Sequence, residues 1–156
     1  MPGNRREFIK KTLALSAYAV AAAGGWLTSF TAQAQWPTEN FTQGKFDDTL
    51  ARLFKDRKIT ETDQIEIKIP KIAENGAVVP LTISSSLADV LALSILVEKN
   101  PVPLAARFEL APELDVFVSA RIKMAETSHV IVIAETREGL YSARELVKVT
   151  IGGCGG

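Results

Sequence analysis

One cysteine and one histidine serve a chain of 156 residues, and that scarcity closes off most catalytic chemistry. Zinc sites need several Cys and His at short spacings, and no such spacing occurs. There is no glycine-rich phosphate loop and no Gly-x-Ser-x-Gly elbow. His129 and Cys154 form the one conceivable nucleophile–base pair, yet a lone histidine at the start of a strand is more commonly a solvated surface residue. The carboxylates are scattered over strand faces and turns. No catalytic residue and no metal site are therefore expected. A single cysteine cannot close an internal disulfide, so in an oxidising compartment it is either an intermolecular partner or a working thiol.

An excess of basic charge is also lacking. The sequence holds 18 basic and 18 acidic residues. Most of the front-end basicity belongs to a segment that looks like a twin-arginine export signal. Arg5 and Arg6 are adjacent, and Phe8, Ile9 and Lys10 follow in the expected pattern. A weakly apolar stretch runs from Thr12 to Phe30 and closes on Ala32-Gln33-Ala34, a small-x-small cleavage site. The Gly24-Gly25 pair and the Ala, Ser and Thr content make this stretch a poor bilayer span. Cleavage is expected after Ala34, with no membrane segment in the mature form. Removal of residues 1–34 leaves 122 residues, a one-domain length, with 14 basic and 17 acidic groups and a formal net charge of −3. That balance argues against a nucleic-acid partner, since phosphate binding needs a basic surface. Trp36 follows the cleavage point and can either pack on the domain or stay free of it.

Residues 35–44 are polar and read as loosely held. A short helix is expected at about 46–55, because Phe46, Leu50, Leu53 and Phe54 recur on one helical face. Asp47 and Asp48 suit its N-terminal dipole, and Lys55, Arg57 and Lys58 its C-terminal one. The period then changes to two. Ile65, Ile67 and Ile69 mark a first strand, followed by an Asn75-Gly76 turn. Val79, Leu81 and Ile83 line a second. Leu91, Leu93, Ile95 and Val97 point inward from a third, and residues 104–110 form a fourth. Val116, Val118, Ala120 and Ile122 mark a fifth, and Val130 to Ala134 a sixth. The seventh, Leu140 to Ile151, has Tyr141, Ala143, Val147, Val149 and Ile151 as its inward row. Glu145 interrupts that row, which implies a bulge or an edge position. Seven short strands with frequent turns predict an all-β, immunoglobulin-like antiparallel sandwich over residues 35–151.

The last five residues are Gly152, Gly153, Cys154, Gly155 and Gly156. Glycine has no Cβ and visits both signs of φ. Four of them around one thiol make a thin, flexible arm that reaches at most about 17 Å beyond Ile151. No helix N-terminus or cationic neighbour in sequence lowers the thiol's pKa, and the nearby α-carboxylate disfavours a second negative charge. Activation must then come from another protein, into which such an arm fits. Two other readings stand beside this one. The chain could be an exported immunoglobulin-like interaction module whose Cys154 forms an intermolecular disulfide. Ubiquitin-like sulfur carriers also end in Gly-Gly, but they are cytoplasmic and lack both the export signal and the cysteine.

With "RREFIKK", "IAENGAVVPLTI", "LVEKNPVPLAARFEL", "RIKMAETSHVIVIAET" and "VKVTIGGCGG" in place, the chain resembles the SoxY family. These are the sulfur-carrier subunits of the periplasmic thiosulfate-oxidising (Sox) system. The resemblance implies a non-catalytic carrier that pairs with SoxZ, as a heterodimer or a higher assembly of such pairs, and is exported folded to the periplasm. It implies that Cys154 is the covalent attachment site, carrying a thiosulfonate or persulfide, with Gly152, Gly153, Gly155 and Gly156 as the arm. It further implies that the cytochrome SoxAX joins thiosulfate to the thiol and the hydrolase SoxB releases sulfate. Where present, the sulfane dehydrogenase SoxCD oxidises the remaining sulfur.

Overall fold

The computed structural model describes residues 38–55, 57–111 and 114–151. The expected signal with Arg5, Arg6 and Ala34, the residue Trp36, and the arm with Cys154 lie outside the described residues.

Where the polar composition of 35–44 suggested loose chain, a 3-10 turn spans Thr38–Phe41. Phe41 joins the apolar cluster under the helix, and the Gly44 amide donates to the Pro101 carbonyl at 3.1 Å. Helix α1 follows at Phe46–Phe54. It ends where Lys55 adopts a left-handed conformation with φ of 50° and donates its amide to the Ala51 carbonyl at 2.9 Å.

Nine strands occur among the described residues: β1 (Ile59–Glu61), β2 (Ile65–Lys68), β3 (Ile72–Asn75), β4 (Val79–Ser85), β5 (Val90–Val97), β6 (Leu104–Glu109), β7 (Val116–Ile122), β8 (Ser128–Thr136) and β9 (Leu140–Ile151). They form a sandwich. One sheet has the order β1-β9-β8-β5-β6, with β3 also on β9, and the other is β2-β4-β7. The core between them joins Ile65, Leu81 and Ile83 of the small sheet to Leu93, Ile95, Val97, Val130, Val132 and Val147 of the large one.

Helix α1 covers part of the other face of the large sheet. Phe54 is buried there with Leu96, Leu104, Ile133 and Leu140, and Phe46, Leu50 and Leu53 pack around them. This explains the nearly unbroken apolar run in β5. The strand is buried on both faces, so period-two alternation is lost. Each large side chain withdrawn from water here contributes roughly 1.5–3 kcal/mol.

Three expectations need correction. β1 and β3 are two strands beyond the expected seven, and both run parallel to β9 in an otherwise antiparallel sandwich. At three and four residues they are too short to show a period. In β5, Leu91 is only half-buried and Val90 takes the inward place, because the register with β8 shifts between Val90 and Ala92. Such a bulge moves a side chain to the other face. Ile151, placed on the inward row, is 69% exposed, because it lies past the end of β8. Of the two readings of Glu145, the edge position holds and the bulge does not, since the β8–β9 register runs unbroken past it. It sits on β9 between the stretches paired with β1 and β3, and Lys71 neutralises it.

Candidate functional site

The site of interest is the place where β9 hands over to the arm. Strand β9 outruns β8. The register opposes Ser128 to Val147, so residues 148–151 continue with no β8 residue opposite them. A bare strand end of this kind frays unless something else takes its hydrogen bonds. Here β3 does so on one side, with Ile72 opposite Lys148, Ala73 opposite Val149 and Asn75 opposite Ile151.

Individual bonds fix this end. The Lys148 amide donates to the Lys71 carbonyl at 2.9 Å, and the Gly76 amide donates to the Ile151 carbonyl at 2.8 Å. The Thr150 hydroxyl donates to the Glu74 carbonyl at 2.9 Å. On the β8 side, the Val149 amide donates to the Thr127 hydroxyl oxygen at 2.9 Å. The Asn75-Gly76 turn is formed as its sequence indicates. The Asn75 side-chain oxygen accepts from the Ala77 amide at 2.9 Å, the Asx-turn that favours this residue. The end of β9 is therefore held through Ile151 on the β3 side and through Val149 on the β8 side, and the sequence Gly152, Gly153, Cys154, Gly155, Gly156 follows Ile151.

His129 lies opposite Leu146, five residues before Ile151, which at about 3.3 Å per residue is about 17 Å back along the strand. Its ring is engaged, with Nδ1 at 3.0 Å from a Glu98 carboxylate oxygen. Among the described residues, no cluster of three or more His, Cys, Asp or Glu is arranged to hold a metal ion.

Open clefts lie elsewhere among the described residues. One of about 490 Å³ at the far end of β9 is lined by Gln64, Asp89, Arg137 and Tyr141 among others. One of about 380 Å³ lies between the edges of β6 and β7, lined by Leu104, Ala106, Ala120 and Ile122 among others. Neither brings a nucleophile and a base together. The other polar cluster is structural. Glu135 on β8 meets Arg57 beyond α1 and Arg107 on β6, the latter at 3.3 Å. The Arg57 hydrogen bond is the largest influence on the Glu135 carboxyl, and with Arg107 it outweighs burial and holds the group below its ordinary range.

Sequence reasoning missed the β3 pairing and Thr127. The Asn75-Gly76 signal marked a turn but not that the turn returns to the end of β9. Thr127 carried no signal, since its role depends on where β8 begins.

The profile of a family described as sulfur oxidation protein SoxY matches residues 50–154. The solved sulfur carrier protein SoxY from Chlorobium limicola f thiosulfatophilum is 40% identical, with a TM-score of 0.63, and the match covers 69% of this chain and 97% of that one. A superoxide reductase (neelaredoxin) from Ignicoccus hospitalis is 17% identical with a TM-score of 0.50, over 56% of this chain and 81% of that one. That second likeness concerns the fold alone. No curated protein matches.

Proposed function

The chain belongs to the SoxY family of sulfur oxidation proteins, and from that premise we propose that it carries sulfur intermediates covalently on Cys154. The observation that carries this reading is the fixed end of β9. The domain holds Ile151 by the Gly76 amide, and three residues later the only thiol of the chain stands among four glycines.

The chemistry divides between carrier and enzymes. Attachment joins the Cys154 sulfur to the outer sulfur of thiosulfate. The thiol proton leaves, an S–S bond forms, and two electrons pass to the cytochrome SoxAX. Hydrolysis by SoxB then breaks the bond to the sulfone sulfur. Water supplies the added oxygen, sulfate departs, and a persulfide remains on Cys154. SoxCD, where it is present, oxidises that remaining sulfur. A covalent link keeps each intermediate from diffusing away between enzymes. In this reading the thiol is poorly activated by design, because an exposed reactive thiolate invites over-oxidation. The protein acts in the periplasm as a heterodimer with SoxZ after folded export signalled by Arg5 and Arg6. The redox centres belong to its partners.

The test is mass spectrometry of the intact chain and its C-terminal peptide after incubation with thiosulfate and SoxAX. A thiosulfonate adduct confined to Cys154 is expected. A disulfide-linked dimer as the sole product would favour an exported interaction module instead.

A further inference from the structure

We propose that residues 123–127 form a clamp that fixes where the arm leaves the domain, with Thr127 as its positioning residue. This rests on the carrier reading and adds a determinant of delivery.

The clamp grips β9 twice. Its direct grip is the Thr127 hydroxyl, which takes the Val149 amide at 2.9 Å. The carbonyl of a longer β8 would fill that place, but β8 begins at Ser128, opposite Val147. The indirect grip runs through Gly76. Its amide holds the Ile151 carbonyl at 2.8 Å, while its own carbonyl accepts from the Met124 amide at 2.7 Å. Met124 is fully buried, which anchors the clamp in the core.

A third residue braces the segment. Asn100 is 9% exposed. Its side-chain amide donates to the Lys123 carbonyl at 2.8 Å, and its oxygen accepts from the Ala125 amide at 2.9 Å. The loop is thus held at 123, 124 and 125, and it presents Thr127 to the strand.

Without the Thr127 bond, residues 149–151 are held on the β3 side alone, which lengthens the loosely held backbone that leads to the thiol. An arm that enters a partner must then order more backbone at each encounter. The same lengthening lowers the effective concentration of the thiol at the partner's entrance. Both effects weaken productive binding and leave the chemical step alone, so KM rises while kcat is retained.

The experiment compares wild type, Thr127→Val and Thr127→Ser in the full mature chain with its partner subunit. Two quantities are read: hydrogen exchange at the Val149 amide, and the kinetics of Cys154 loading by thiosulfate and the cytochrome enzyme. For Thr127→Val, Val149 exchange is expected to rise about tenfold, and kcat/KM to fall about tenfold through KM. Thr127→Ser keeps the hydroxyl and restores both. Thr127→Ala carries the same expectation as the valine variant and replaces it if valine disturbs the fold. Unchanged Val149 exchange, or unchanged KM in a variant that has lost the hydroxyl, overturns the proposal, as does a serine variant that behaves like valine. If wild type is itself never loaded, the carrier reading falls and takes the delivery role with it. The exchange result then still decides whether Thr127 clamps the strand.

Discussion

The Gly76 amide donates to the Ile151 carbonyl at 2.8 Å. That bond joins the Asn75-Gly76 turn to the last described residue of β9, and so ties the start of the arm to the sandwich. Parallel pairing of a four-residue strand with a strand end is weak alone. Here it is reinforced by the Thr150 hydroxyl, 2.9 Å from the Glu74 carbonyl, and by Thr127 on the opposite side. These bonds fix the direction in which the chain leaves the sandwich at Ile151.

Bulk in the arm is expected to impair delivery without touching the fold. Gly153→Val adds a β-branched side chain that restricts the backbone. Its unfolding free energy should stay within about 0.5 kcal/mol of wild type, as for other surface changes, while the rate of Cys154 loading falls severalfold. Denaturant titration and loading kinetics check the two halves. A sharp loss of stability would show that the arm is packed structure.

Helix α1 is held chiefly by its apolar face. Phe54 is 3% exposed and lies against Leu96, Leu104, Ile133 and Leu140. Phe54→Ala should cost about 3–5 kcal/mol in denaturant unfolding. A loss below about 1 kcal/mol would mean that the helix contributes little to the large sheet.

Much of this was legible in the sequence, and the reasons are local. The helix announced itself through Phe46, Leu50, Leu53 and Phe54, and β4 through Val79, Leu81 and Ile83, because one face of each is buried and the other is wet. The burial of β5 on both faces could not be read, since periodicity does not reveal that a helix covers its second face. β1 and β3 escaped because three or four residues carry no period and their partner, β9, lies far along the chain. The thiol and its glycines were visible as a pattern. The root that holds them was not, because it depends on the distant β3 pairing, on the Gly76 amide, on the Thr127 hydroxyl and on how far β9 outruns β8.

Glu135 gives the fold a sensitivity to acid. Its carboxyl is held below the ordinary value of 4.5, first by the Arg57 hydrogen bond and further by Arg107, with burial opposing both. A group whose pKa is depressed on folding stabilises the protein above its unfolded pKa, and that contribution is lost as pH falls through the folded value. At pH 7 the wild type should exceed Glu135→Gln by about 1 kcal/mol or less, given the partly exposed partners. The gap should narrow as pH falls below about 4.5 and vanish below the folded value. Denaturant unfolding of both proteins across this range checks it. A gap independent of pH would show that the ion pairs contribute nothing to folding.

The central claim is that Cys154 carries the sulfur. Its most direct measurement is the mass of the C-terminal peptide from the mature protein after turnover with thiosulfate and SoxAX, beside a folded Cys154→Ser variant. The expected result is a thiosulfonate adduct on the wild-type peptide, none on the serine variant, and no thiosulfate oxidation with that variant. An unmodified Cys154 under turnover, or oxidation that survives its replacement, would contradict the account.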